Sequence, residues 1–538
     1  MVTIEKSANS VTPKIFYLLI TSIVYYLMFS GCTPQSSNEV YLPYFKSIVL
    51  DGTEDSVYHI NTTGAVDLTL RIDANDSTAD LYFIFTNPSN KETDGSLIID
   101  PLNSPLLNTT GIQLIDRFYS EPVRLGQNSS TDSRSVISPL LSGIGEDDTI
   151  GDTQDFIVIV GDIAWSYIPA TCRGVVKVDD TSLNVWVKDD VWGIAPGKID
   201  QTDIDALTSK FLNGTGDDIY TWVTNIYGEQ WGKHNFPNDL IPDNNAITIL
   251  VDNSMSAYIL GYFNPRNNYL ASNYPGETNE RIMFCVNSDY LGSIDPQKKD
   301  LIYSTLVHEF QHMIHFYQKF VLRSSTEYPA VWLNELCSLA TEDIIAGLLG
   351  VDNPADLRIS DYNKGTGVPL TEWTGDIKNY GVAYSYGAYL VRNFNGPSLL
   401  RNIVRSSSNG SQALTDALKK SGFTQGFGRS LDMWGASVLL SDKDSPINGF
   451  SSKGGLVVYN GINYNTDTIN YFDYFSYYDS DEDKDIYGPL IIPINNYIKT
   501  VTPLNPSTNT FYSGGEIDGV KEFRFRYEDG VRLTLIVK

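Results

Sequence analysis

The run Leu306-Val-His308-Glu309-Phe-Gln-His312-Met-Ile-His315 decides how this chain is read. Three of the chain's five histidines fall within it, in eight consecutive residues. Side chains four apart on a helix share a face, about one turn from each other. His308 and His312 can therefore offer two imidazole nitrogens to one metal ion. Glu309 lies about 100° further round the helix, within reach of a water held there. His-Glu-x-x-His on a helix is the pattern of a zinc-dependent hydrolase with the glutamate as general base.

The flanks support a helix. Asp295-Pro296 is a start signal: aspartate can cap, and proline suits the first helical position. Ile302, Leu306, Phe310, Met313, Tyr317 and Phe320 recur at spacings of three and four and form an apolar stripe that should face a core. Leu301, Thr305, His308, His312 and His315 form a neighbouring stripe, so the metal face should adjoin the buried one.

A catalytic zinc takes three protein ligands and keeps a fourth position open. No histidine follows His315, so a carboxylate is favoured as the third. Glu335, in Trp332-Leu-Asn-Glu-Leu-Cys-Ser-Leu-Ala-Thr-Glu342-Asp343, leaves room for a loop and a returning helix, and Glu342 and Asp343 compete with it. Pro329 precedes this second helix, whose periodic apolar positions are Trp332, Leu336, Leu339 and Ala340.

His308-Glu-Phe-Gln-His312 followed by Trp332-Leu-Asn-Glu335 resembles the glutamate zincins, and among them the hyicolysin-type bacterial metallopeptidases. The resemblance covers roughly 185–394 and is strongest over 246–388. It implies a zincin-like catalytic domain, Zn2+ as cofactor, Glu335 as third ligand and a protein or peptide substrate. Related zincins carry a glutamate where Glu342 stands; the thermolysin branch carries an aspartate where this chain has Leu339. Tyr384-Ser-Tyr-Gly387-Ala388 resembles the opening of the helix that bears the oxyanion-stabilising tyrosine, which puts that role on Tyr384, with Tyr380, Tyr386 and His234 as other candidates. The resemblance also implies an edge strand over the cleft, expected at 281–286.

At 538 residues the chain can hold about three domains. A formal net charge of −27 argues against nucleic acid as a partner. Lys6 and Lys14 precede an apolar run, Ile15 to Phe29, of about fifteen residues, short for a spanning helix. The run ends in Phe29-Ser-Gly-Cys32, which resembles a bacterial lipoprotein signal. The expected organisation is a signal peptide at 1–31 and a tether at 32–42, with lipid on Cys32 and the body anchored to the bacterial envelope, at the cell surface or in the periplasm. Cys172, Cys285 and Cys337 are then left; their spacing matches no zinc ribbon, and at most one disulfide can form among them.

Short alternating strands with frequent turn signals suggest a β-sandwich-like domain at 43–192. A zincin-like domain at 193–445 and a C-terminal β-rich domain at 446–538 follow, an α+β chain throughout. Within the middle region 201–212, 218–228, 384–392, 411–421 and 431–440 read as helices, 246–251 as a strand and 261–276 as a loop. Asp479-Ser-Asp-Glu-Asp-Lys-Asp485 begins like a Ca2+ loop but has Lys484 where the sharp-turn glycine belongs, and reads as a solvated acidic loop. The functional expectation is a zinc-dependent endopeptidase acting on extracellular proteins. Its rivals are a lipid-anchored surface binding protein with a structural or inactive zinc site and a zincin-like hydrolase of non-peptide substrates. Glu309 argues against the first, since a structural site has no use for a base.

Overall fold

A computed structural model describes residues 3–7, 42–50, 55–62, 64–93, 98–99, 148–160, 164–323, 328–443, 449–480, 483–494, 499–500 and 504–538. Cys32 and the apolar run before it lie outside the described residues. Among those described, no helix is long and apolar enough to cross a membrane. The chain forms two compact units, one of Met1–Pro105, Leu431–Phe450 and Ile491–Lys538, the other of Leu106–Ser430 and Ser451–Leu490.

The first unit is built on a nine-stranded sheet that joins the two ends of the chain. Val66–Asn87 runs antiparallel to Thr508–Tyr527 along nearly the full length of both, interrupted by bulges near Gly515 and Val520. Arg532–Val537 pairs with Val66–Asn87 and with Ser56–Asn61, and Thr3–Ser7, from within the expected signal peptide, pairs with Ser56–Asn61. The alternation seen in the sequence places Leu68, Leu70, Ile72, Phe83, Phe85, Phe525, Leu533 and Leu535 in one core.

The second unit carries His308, His312 and Glu335. Its six-stranded sheet comprises β1 (Thr153–Val160), β2 (Ala164–Val178), β3 (Thr181–Lys188), β4 (Ala246–Asp252), β5 (Gly261–Phe263) and β6 (Ile282–Asn287), in the order β5-β6-β4-β3-β2-β1. The strands β3, β4 and β6 are parallel, and the outer ones are antiparallel to their neighbours. One face packs Phe156, Trp186, Leu250, Tyr262, Met283 and Cys285. On the other, Phe284 of β6 meets Phe211 of the helix Gln201–Phe211, which meets Phe310 at 5.0 Å between ring centroids.

Phe310 belongs to α1 (Pro296–His315), capped by Asp295, whose Oδ1 accepts from the Gln297 amide, with Pro296 in the first turn. The chain continues through a π turn, Phe316–Val321, and returns in α2 (Val331–Leu349); α3 (Ile377–Asn393) packs on α2. Every residue of α1 from Thr305 onward is buried. An amphipathic stripe understates this helix, because a second helix covers the face opposite the sheet.

The grouping of strands differs from the domain plan read off the sequence. Residues 153–188 extend the sheet of the second unit and do not join 43–99 in a sandwich, and the strands from 491 onward share a sheet with the N-terminal ones. Alternation marks a strand and its buried face; it does not name a partner more than four hundred residues away. The three cysteines Cys172, Cys285 and Cys337 are free and buried.

Asp67 tests the first sheet. Its carboxylate accepts two hydrogen bonds from Arg524 and one from Arg526 on the paired strand. The Arg524 hydrogen bonds, opposed by burial and helped by Arg526, hold the carboxyl down from 3.8 to about 2. A lowered folded-state pKa stabilises above the ordinary carboxylate range, and the benefit is lost as pH falls through the folded value. Asp67→Asn should therefore melt below wild type at pH 7, with the gap closing between about pH 4 and pH 2. A gap of the same size at pH 2.5 would show that the pairing is not the cause; the check is melting temperature against pH for both proteins.

Candidate metal centre

The sequence that builds α1 and α2 also decides which faces meet. Glu335, Ser338 and Glu342 are three and four apart on α2, so they form one row, and that row opposes His308 and His312 on α1. Trp332, Leu336 and Leu339 flank the row and are buried. The two imidazoles stand nearly perpendicular, 4.6 Å between centroids. Glu335 Oε2 lies 3.2 Å from His308 Nε2 and 3.7 Å from His312 Nε2. Glu335 Oε1 is buried and has no hydrogen-bond partner among the described residues. All three side chains have no exposed surface.

These facts test whether a cation fits. One ligand atom from each of His308, His312 and Glu335 lies within 4.8 Å of the others. Burial alone would raise the Glu335 carboxyl, but His312 and His308 outweigh it and hold it down at about 2. Burial lowers the His312 imidazole despite the neighbouring carboxylate. Two imidazole nitrogens and a carboxylate oxygen make up the donor set of a zinc site.

The outer nitrogens are held as well. His308 Nδ1 donates to Glu342 Oε1 at 2.7 Å, and Glu342 Oε2 accepts from Ser304 Oγ at 2.7 Å. A proton fixed on Nδ1 leaves Nε2 to act as ligand. Glu342, the competitor for third ligand, is thus on the outer side of His308, while Glu335 is on the inner side. Asp343, the other competitor, faces elsewhere: it forms a buried ion pair with Arg392 at 2.6 Å.

Tyr384, Tyr380 and Tyr386 are all buried on α3. The Tyr384 hydroxyl donates to Asp343 Oδ1 at 2.8 Å and contacts Asn353 Oδ1 at 3.1 Å. It therefore belongs to the Asp343–Arg392 network, one helix position away from the row that meets the histidines. His234 has both ring nitrogens on the backbone: Nε2 donates to the Ile241 carbonyl and Nδ1 accepts from the Phe236 amide. His315 is buried further along α1 and is outside the ligand group.

The edge strand is not where the sequence put it. Ile282–Asn287 is the second strand in, flanked on both sides, and β5 takes the edge. Gly261-Tyr-Phe263 sits in a stretch rich in Tyr, Asn and Gly that reads as a loop, and three residues are too few to show alternation. Gly261 is there for clearance. A Cβ would lie 2.7 Å from Thr305 Cγ2, 2.8 Å from the Cys285 carbonyl oxygen and 3.3 Å from Glu309 Cγ. Glycine thus brings the edge backbone against the side of α1 that carries Thr305 and Glu309.

A family model described as Peptidase M30 matches residues 166–454. The neutral metalloprotease ShpI of Staphylococcus hyicus is 26% identical over 261 residues, 45% of this chain and 53% of that protein. The chain thus spans about half the length of this curated relative. Among solved structures, an M1 zinc metallopeptidase from Deinococcus radiodurans matches with a TM-score of 0.28 and 10% identity over 76% of this chain and 94% of that one. An aminopeptidase N family protein from Idiomarina loihiensis matches with a TM-score of 0.25 and 12% identity over 53% and 49%. Likeness at these scores carries no argument about this fold. The M30 match covers more than half of the sequence and contains α1, α2 and the strand β5 beside Glu309; the chain belongs to the Peptidase M30 family.

Proposed function

We propose that this protein is a zinc-dependent endopeptidase whose metal is held by His308, His312 and Glu335. The observation that carries the reading is the convergence of these three buried side chains with Glu309 on the adjoining face of α1, next to an edge strand. Zn2+ bound there would polarise a water and the scissile carbonyl. Glu309 takes the proton of the attacking water and later delivers it to the leaving amine. Glu342 and Ser304 keep the His308 proton on Nδ1. β5 is the edge strand of the sheet beside Glu309, and its three residues are buried. A protein or peptide segment is the substrate class we infer, on the strength of the family match.

Glu309→Gln should keep metal affinity and lose hydrolysis. The amide matches the carboxylate in shape and cannot accept the proton, so turnover should fall by roughly 10²–10⁴-fold. The assay is cleavage of an unstructured protein such as casein, with chelator as control and zinc content measured on the same sample. Turnover near wild type in this variant would remove the mechanism.

Tyr384→Phe separates two roles for that residue. A fall in kcat of roughly 10²–10³-fold at unchanged melting temperature would mark an oxyanion donor. A lower melting temperature with kcat largely kept would mark a strut of the Asp343–Arg392 network, and its hydrogen bonds support the strut.

The lipid anchor is proposed on the sequence alone, from Lys6, Lys14, the apolar run and Phe29-Ser-Gly-Cys32. Cys32→Ala should leave the protein out of the membrane fraction or as an unprocessed precursor. Attachment at unchanged mature size would contradict the assignment.

A further inference from the structure

We propose that Ser338 is the positioning residue of the second metal histidine, setting which nitrogen of His312 faces the metal; the proposal rests on the metal site described above. Ser338 is fully buried in the middle of the α2 row, between Glu335 and Glu342. Its Oγ lies 3.1 Å from His312 Nδ1, 2.5 Å from Gln311 Oε1 and 3.4 Å from the His308 main-chain carbonyl. A hydroxyl has one proton and two lone pairs. The carbonyl oxygen of Gln311 can only accept, and the short contact gives it the serine proton. A lone pair of Oγ is then left facing His312 Nδ1, which must carry hydrogen to meet it. Nε2 is thereby unprotonated and turned toward Glu335.

The two histidines are held in the same way with different chemistry. His308 leans on a carboxylate, His312 on a neutral hydroxyl. The difference has an electrostatic reason. Glu335, Glu309 and Glu342 are already buried in this region, and a further anion behind His312 would have to be desolvated against them. Serine fixes the tautomer and ring angle and adds no charge. Gln311, adjacent to His312 on α1, completes the arrangement by holding the serine proton away from the imidazole.

The test is zinc affinity of the full chain by competition with a chelator. It is combined with the histidine N–H resonances of zinc-loaded, 15N-histidine-labelled protein and the melting temperature of the metal-free form. Ser338→Ala should raise the zinc dissociation constant by roughly 10- to 100-fold, the range typical for loss of such a partner. The N–H signal of His312 Nδ1, assigned with His312→Ala, should shift or broaden by exchange. Ser338→Thr, which retains the hydroxyl, should recover affinity to within a few-fold of wild type. Gln311→Leu should weaken binding in the same direction and by less, and it stands in if Ser338→Ala does not fold. Zinc affinity of Ser338→Ala within twofold of wild type would overturn the proposal, as would equal losses in the Ala and Thr variants. Failure of the underlying site is distinguishable, since wild type would then bind no zinc or Glu335→Ala would bind it as tightly as wild type.

Discussion

A carboxylate without any exposed surface faces two imidazoles that are equally buried, and the second unit is arranged around making that tolerable. Burying one charge costs far more than a helix contact returns unless an opposite charge is close. Among the described residues the groups facing Glu335 are His308 and His312, at 3.2 and 3.7 Å from its Oε2. A cation among the three resolves the conflict. The six-stranded sheet fixes α1 from one side through Phe284, Phe211 and Phe310, and α2 closes it from the other. Because both faces of α1 are packed, neither histidine can swing away from the carboxylate without disrupting a core.

The same packing separates the roles around α1. The face toward α2 carries His308 and His312, opposite Glu335, Ser338 and Glu342 of α2. The face toward β5 carries Thr305 and Glu309, where the Gly261 backbone comes close. The next face of α2 is tied to α3 by Asp343, Arg392 and Tyr384. The side chains of that ion pair are 1% and 0% exposed, and it ties α2 to α3 beside the row that carries Glu335. The proposed proton acceptor, the proposed metal ligands and the Asp343–Arg392 ion pair thus occupy separate faces of α1 and α2.

Local periodicity made much of this legible. The start of α1 at Asp295-Pro296 and the row of histidines followed from spacing; the absence of any later histidine favoured a carboxylate, and the resemblance put that role on Glu335 with Glu342 and Asp343 as competitors. The helices read at 201–212 and 218–228 stand at Gln201–Phe211 and Ile219–Tyr227, where Asp200 and Asp218 cap them. Pairing at long range was not readable. Nothing in Val66–Asn87 announces Thr508–Tyr527, since both alternate as any half-buried strand does. The edge strand was hidden because three residues beginning with glycine have no period. Ser338 was hidden for another reason: a lone serine in a helix is unremarkable until the facing residues are known. The single available cue was its place in the three-and-four spacing that links Glu335 to Glu342.

The central claim is that one zinc ion is held by two imidazoles and one carboxylate in the second unit. X-ray absorption at the zinc edge, on full-length protein loaded with one equivalent, tests it most directly. The account predicts a first shell of nitrogen and oxygen only, at about 2.0–2.1 Å, with the outer-shell scattering of two imidazole rings. A sulfur shell at about 2.3 Å, which would bring in a cysteine, or the absence of imidazole scattering would contradict it.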